Sequence, residues 1–263
     1  MNKIGFIGMG NMGKALLKGA LKSSSADNFI FSDKYVTDEA IQSMGVAKAD
    51  DNISCVKTAK YIFLAVKPQY FKEVADEIKA YVTKDKVIVS IMAGLTIDTI
   101  NESLGGNARV IRVMPNTPAL VEAGMSGVCF DASEYTEDEK NTVLGILEAC
   151  GRVKIVTEAM MSAVTCASGS SPAYVYMFIE ALADSVVKYG IPRDMAYEMA
   201  AQTVLGAAKM VLETGENPAV LKDRVCSPGG TTIAAVAALE EYGFRNAIFK
   251  ATDKCFARAE ELK

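Results

Sequence analysis

Gly8-Met9-Gly10-Asn11-Met12-Gly13 has the G-x-G-x-x-G spacing of a phosphate-binding turn. In that pattern Gly8 permits a tight turn, Gly10 lets a pyrophosphate approach the backbone, and Gly13 allows a helix to pack closely on a strand. The chemistry on offer is dinucleotide binding, with the free N–H groups of a helix N-terminus facing the phosphates. Far downstream, Ser227-Pro228-Gly229-Gly230-Thr231-Thr232 precedes an alanine-rich helical run. A helix start of this kind offers unpaired N–H donors, two hydroxyls and the positive end of a dipole, which suits a small carboxylate. Read alone, the same residues are also a Thr N-cap on a buried helix.

The chain contains no histidine. That excludes Ser-His-Asp and Cys-His catalysis, imidazole general bases and His-ligated metals, and no metal site is expected. Six cysteines, Cys55, Cys129, Cys150, Cys166, Cys226 and Cys255, are scattered without a C-x-x-C pair. Nothing points to a secreted chain, so free thiols are expected.

The elements that must position these residues follow from hydrophobic patterning. Lys3–Ile7, Asn28–Ser32, Tyr61–Ala65, Val87–Ser90 and Arg109–Val113 are short apolar runs, and helical patterns such as Lys14–Lys22, Thr37–Met44 and Gln69–Tyr81 lie between several of them. The alternation predicts a parallel sheet covered on both faces. Ser126–Phe130 and Arg152–Val156 add two strands, and Thr136-Glu137-Asp138-Glu139 has the capping-box spacing that starts a helix ending near Gly151.

Beyond residue 157 the pattern is helical: Glu158–Cys166, Ala173–Lys188, Arg193–Glu213, Thr232–Glu241 and Phe244–Leu262, punctuated by Gly190, Gly215 and Gly243. Small residues crowd these helices and would let a second copy approach closely. The reading is a Rossmann-type α/β domain at 1–157, which binds NAD(P), followed by an all-helical dimerisation and substrate domain at 158–263.

In an open α/β sheet, ligands sit outside the carboxyl ends of the strands. Asp33, at the end of the second strand, suits the ribose diol of NAD, whereas Ser32 and Lys34 suit the 2′-phosphate of NADP; both cofactors stay open. Ala65-Val66-Lys67-Pro68, Ile91-Met92-Ala93-Gly94 and Met114-Pro115-Asn116-Thr117-Pro118 fall at the same sheet edge. Each alone is an ordinary loop; together they predict the walls of a cofactor cleft, with Lys67 held extended by Pro68. Cys166-Ala167-Ser168-Gly169-Ser170-Ser171-Pro172-Ala173 is either a Ser-capped helix start or the polar edge of a pocket.

Bulk properties are those of an ordinary globular protein. Half of the 263 residues are hydrophobic, 23% are charged and the net charge is −4, with no Lys/Arg block that would favour a nucleic acid. The apolar stretch Ile4–Met9 is too short for a signal peptide or a membrane span, so a cytoplasmic location is expected.

Five segments give the chain a resemblance to the pyrroline-5-carboxylate reductases, which catalyse the last step of proline synthesis. They are G-F-I-G-M-G-N-M-G at 5–13, F-L-A-V-K-P at 63–68, V-M-P-N-T-P at 113–118, S-G-S-S-P-A-Y at 168–174 and L-K-D-R-V-C-S-P-G-G-T-T-I-A-A-V-A-A-L-E at 221–240. The last is the most specific. The resemblance implies reduction of 1-pyrroline-5-carboxylate to L-proline with NADPH or NADH. It also implies cofactor contacts at Gly8–Gly13, Ser32–Lys34, Asn52, Ala65–Pro68 and Met92–Gly94. The implied substrate segment is Ser227 and Gly230–Thr232, with Thr232 the leading catalytic candidate, and pairing is through intertwined C-terminal helices, often with further assembly. Cys226 stands where a Ser or Thr is expected from the resemblance, and Arg224 has no assigned role.

A protonated cyclic imine is already electrophilic, so its reduction fits a chain without imidazole. Holding the C=N carbon and fixing the carboxylate is then the main task, and Glu158 either helps position a ligand or starts a helix. A β-hydroxyacid dehydrogenase would instead need a proton-handling Lys soon after Ser168-Gly169, where the first Lys is Lys188. A non-catalytic NAD(P) sensor would have no need of the Ser-Pro-Gly-Gly-Thr-Thr segment.

Overall fold

Eight strands form in the computed structural model, which describes residues 3–36, 43 and 45–262, and seven of them come from the strand-forming runs. These are β1 (Ile4–Ile7), β2 (Phe29–Ser32), β3 (Ala47–Lys48), β4 (Tyr61–Leu64), β5 (Val87–Ser90), β6 (Arg109–Met114), β7 (Gly124–Cys129) and β8 (Gly151–Ile155). They form one sheet in the order β3-β2-β1-β4-β5-β6-β7-β8. The chain leaves β1 toward β2 on one side and later returns to β4 on the other, which creates a switch point between β1 and β4.

Central strands are buried along their whole length because both faces of the sheet are covered. Successive side chains point to opposite faces. Phe6, Phe63, Val87 and Val89 therefore join Leu16 and Leu17 of helix Asn11–Ala20 and Val143 and Leu147 of helix Glu137–Glu148. Ile7, Ile62, Leu64 and Ile88 join Cys55 and Val56 of helix Asn52–Thr58, Phe71 and Ile78 of helix Phe71–Ile78, and Ile100 of helix Ile97–Ser103. Phe6 stacks on Phe63 with ring centroids 4.8 Å apart, across the pair of strands that borders the switch point.

The Rossmann-type α/β class holds, and the sheet is mixed at one edge. The five strands expected to pair parallel do so, whereas the added strand β7 pairs antiparallel with β6 before β8 returns to parallel pairing with β7. Only the residues from Pro115 to Ala123 separate β6 from β7, and a stretch that short carries no crossover helix. The Thr136–Glu139 capping box forms as expected, with both reciprocal hydrogen bonds. The expected helix Thr37–Met44 lies outside the described residues except for Ser43. Strand β3 and the helices Asn52–Thr58, Ile97–Ser103 and Pro218–Arg224 are additions to the expected plan.

The chain divides into two compact units, residues 1–170 with 255–263, and residues 171–254. The second unit is helical: Ser171–Val187, Arg193–Thr214, Pro218–Arg224, Thr231–Glu241 and most of Phe244–Glu261. Ser171–Val187 and Arg193–Thr214 pack through Ala183, Ala196 and Ala200, the small residues that allow close approach. Gly215, at φ +67°, ends the longer helix in the left-handed cap that glycine favours.

Candidate functional site

At the switch point the glycine-rich turn does what its spacing predicts. Gly8 has φ +94°, and a Cβ there would lie 2.8 Å from the Ala65 carbonyl oxygen, so only glycine fits. A Cβ on Gly13 would lie 2.5 Å from the Gly8 carbonyl oxygen, which ties the helix start to the turn. Gly10 differs. It caps helix Asn11–Ala20 without a side-chain hydrogen bond, and a Cβ there would meet no atom within 4 Å. The chain's own packing does not require glycine at 10; space above an uncapped helix N-terminus suits a close-lying pyrophosphate. Met9 is a core residue, so only its backbone belongs to this edge.

Asp33 follows β2, and its carboxylate is already engaged. Its Oδ2 accepts the Met9 N–H at 2.7 Å, and its Oδ1 accepts the N–H groups of Tyr35 at 2.7 Å and Val36 at 2.9 Å. Three of about four acceptor directions are thus used to hold the turn. Ser32 Oγ donates to Asn52 Oδ1 at 2.7 Å, and Asn52 Nδ2 donates to Glu77 Oε2 at 2.8 Å. Lys34 Nζ lies 3.0 Å from Glu73 Oε1.

The other expected walls stand at the ends of β4, β5 and β6. The Ala65 N–H donates to the Ile7 carbonyl at 2.8 Å, and Lys67 is extended at φ −69° and ψ 143°, as Pro68 requires. The Met92 N–H donates to Ser90 Oγ at 3.3 Å, and Gly94, at φ +84°, lies against Leu262 near the C-terminus. Asn116 is buried after β6, accepting the Met125 N–H at 2.9 Å and donating to the Ser168 carbonyl at 3.0 Å. Thr165–Gly169 is a π-helical turn, a local unwinding often found at functional sites. It precedes helix Ser171–Val187, where Pro172 is the second residue.

Sequence reasoning passed over Arg112. This arginine is buried in β6, and its Nη1 lies 3.1 Å from Glu158 Oε1, which also accepts the Ile97 N–H at 2.7 Å. Glu158 thereby ties the segment after β5 to the segment after β8, beside a shallow cavity of about 600 Å³. A charge inside the otherwise apolar run Val110-Ile111-Arg112-Val113 was the available signal, since a buried guanidinium needs a partner.

Nucleophilic chemistry is disfavoured at the buried cysteines. Burial pushes the Cys55 thiol up to about 12 and the Cys150 thiol up to about 11. Burial, followed by contact with the Cys255 thiol, pushes Cys166 up to about 11. These groups are protonated at neutral pH and are poor nucleophiles. All six cysteines are free thiols, as expected.

In the helical unit, residues 227–232 form a tight turn leading into helix Thr231–Glu241. The Gly230 N–H donates to the Ser227 carbonyl at 3.0 Å, and Gly229 has φ +70°. Gly230 is extended at φ −77°, and a Cβ there would crowd the rotatable Ser227 hydroxyl and lie 3.1 Å from the Ser227 carbonyl oxygen. The N-cap is Gly230, with no side-chain cap, so neither Thr231 nor Thr232 fills that role. Among the described residues the helix has no buried position, which departs from the buried Thr-capped helix weighed above. Arg224 is explained locally: its Nη2 lies 2.7 Å from Glu216 Oε1, bracing the short helix that precedes the turn.

A family model described as "Pyrroline-5-carboxylate reductase dimerisation" matches residues 158–262, and one described as "NADP oxidoreductase coenzyme F420-dependent" matches residues 3–94. The pyrroline-5-carboxylate reductase of Escherichia coli is 47% identical over 99% of this chain and 98% of its own length. That of Methanosarcina acetivorans is 42% identical over 99% and 97%. Among solved structures, the Coxiella burnetii pyrroline-5-carboxylate reductase superposes with a TM-score of 0.92 at 34% identity, covering 100% of this chain and 98% of its own. The Plasmodium falciparum pyrroline carboxylate reductase, solved with NADP bound, gives 0.89 at 30% identity over 99% and 98%. With near-complete coverage in both directions, the chain belongs to the pyrroline-5-carboxylate reductase family.

Proposed function

We propose that this protein reduces 1-pyrroline-5-carboxylate to L-proline by hydride transfer from NADPH or NADH. The observation that carries the reading is the near-full-length relationship to pyrroline-5-carboxylate reductases. It is supported by a dinucleotide turn with open space above Gly10 and an uncapped helix start at Thr231. The reduced nicotinamide supplies the hydride.

The protein's own residues bind and orient. Gly8, Met9, Gly10, Asn11, Met12 and Gly13 form the turn around the pyrophosphate: Gly10, Asn11, Met12 and Gly13 offer backbone N–H groups, while the Gly8 and Met9 N–H groups hold the turn through the Ser32 carbonyl and the Asp33 carboxylate. Ser32, Asp33, Lys34 and Asn52 meet the adenosine ribose. Ala65–Pro68 and Met92–Gly94 wall the nicotinamide end. Ser227, Gly230, Thr231 and Thr232 form the segment that holds the imine carboxylate, through the Thr231 and Thr232 N–H groups and the Thr232 hydroxyl, while the Gly230 N–H closes the turn on the Ser227 carbonyl. The substrate enters as the iminium, so no side chain has to deliver a proton during transfer, and catalysis is by proximity and orientation. Residues 1–157 are the cofactor domain and 158–263 the helical dimerisation and substrate domain.

The protein is a homo-oligomer built on its dimerisation domain and acts on a small molecule. No helix among the described residues is long and apolar enough to cross a membrane. A cytoplasmic location belongs to the same reading, as does the absence of a nucleic-acid partner, which the net charge of −4 supports. The test is loss of NAD(P)H absorbance with pyrroline-5-carboxylate but not with 2-keto acids. Turnover of a keto acid alone, or of neither substrate, overturns the reading.

A further inference from the structure

Lys34 and Glu73 approach each other from different elements. Lys34 follows β2 at the place where the adenosine ribose of a dinucleotide lies in this fold class, and Glu73 belongs to the first turn of helix Phe71–Ile78. Lys34 Nζ to Glu73 Oε1 is 3.0 Å, and both side chains are exposed. Hydrogen bonding to Glu73, and then its charge, hold the Lys34 ammonium above its ordinary pKa, so it is a full cation at neutral pH.

The surrounding polar groups are also committed. Asp33 spends its carboxylate on three backbone N–H groups, and Glu77 accepts from Asn52, which accepts from Ser32. Lys48 Nζ donates to the Val36 carbonyl at 3.3 Å. The turn therefore carries the anions Asp33, Glu73 and Glu77 against the cations Lys34 and Lys48. A ribose 2′-hydroxyl can donate to a carboxylate in such a turn, whereas a 2′-phosphate needs a cation that is not already held.

We infer that Glu73 is a specificity-determining residue. It competes with the 2′-phosphate of NADPH for Lys34 and leaves NADH binding untouched. The inference rests on the cofactor site proposed above.

Its test is equilibrium binding of NADP⁺ and NAD⁺ to the full chain without imine, measured by titration calorimetry. An exposed ion pair is weak, so Glu73→Gln is expected to tighten NADP⁺ binding by about two- to fivefold, with NAD⁺ unchanged. The gain should shrink as salt is raised and vanish when Lys34→Ala is also present, as a double-mutant cycle requires. Unchanged NADP⁺ affinity in Glu73→Gln, with NADP⁺ weakened selectively by Lys34→Ala, overturns the competition and keeps the site. If Lys34→Ala changes neither affinity, the ribose placement itself is wrong and the inference falls with it.

Discussion

Gly8 and Gly10 stand two positions apart in one motif and are glycines for different reasons. Gly8 is demanded by the fold, through a left-handed backbone and the Ala65 carbonyl 2.8 Å from a would-be Cβ. Gly10 faces open space. Gly8→Ala is expected to destabilise the protein by about 1–3 kcal/mol, the range for a strained backbone position, seen as a lower denaturation midpoint. Gly10→Ala should keep that midpoint and lose at least about tenfold in affinity for both cofactors by calorimetry; a normal affinity would remove the phosphates from this turn. Thr232 poses the matching question in the helical unit, where the helix start has no side-chain cap. Thr232→Ala is expected to raise KM for the imine about tenfold, in line with a hydrogen bond to a charged group, with KM for NAD(P)H nearly unchanged. Equal effects on the two KM values would point to a structural role.

At the scale of elements, the N-terminal ends of the strands are fastened by Glu139. Its carboxylate, nearly inaccessible to solvent, takes a bidentate pair from Arg109 at 2.9 Å and an ion pair from Lys60 at 2.9 Å, and it completes the capping box of helix Glu137–Glu148. The Arg109 hydrogen bonds are the chief cause of a pKa lowered from 4.5 to about 2. A depressed carboxylate stabilises the folded state fully above its unfolded pKa, and that contribution is lost as the pH falls from 4.5 toward about 2. Glu139→Gln is expected to cost about 3–5 kcal/mol at neutral pH and to flatten the acid limb of the stability–pH curve in that window. An unchanged acid limb in urea melts would show that Glu139 is not the group responsible.

Elements of this kind were unevenly legible in the sequence. Val87–Ser90 was read to its ends because all four residues are apolar or buried and Lys86 marks the start. The capping box announced itself by spacing alone. Asn52–Thr58 and Pro218–Arg224 are each seven residues, too short for a periodic pattern; Asp51 and Asn217, the latter followed by Pro218 at the first helical position, were the available signals, and both do cap. The direction of β7 was invisible, since an apolar run encodes burial but not polarity of pairing. Pairs such as Lys34 with Glu73 and Arg112 with Glu158 join residues 39 and 46 positions apart and exist only once the sheet has formed.

For the whole molecule, the helical unit leaves too much apolar surface for a chain that acts alone. Its fully buried hydrophobic residues are three alanines, Ala183, Ala196 and Ala200, while Met177 is 68% exposed, Leu205 57% and Phe249 69%. Apolar surface on this scale marks an interaction face, and a dimerisation domain supplies the occupant, a second copy. Alanines bury little area, so most of the hydrophobic stabilisation of these helices must come from association. Folding of the helical unit and dimer formation are then linked by mass action. Leu205→Glu, in the middle of helix Arg193–Thr214, would bury a carboxylate against the partner; an unpaired buried charge costs several kcal/mol. Sedimentation is expected to shift from dimer or larger to protomer. Far-ultraviolet circular dichroism should show an early loss of helix on heating, ahead of the sheet-bearing unit. The wild type should instead melt at a temperature that rises with protein concentration. A variant that keeps the dimer mass and the concentration-dependent melt would clear this helix face of the interface.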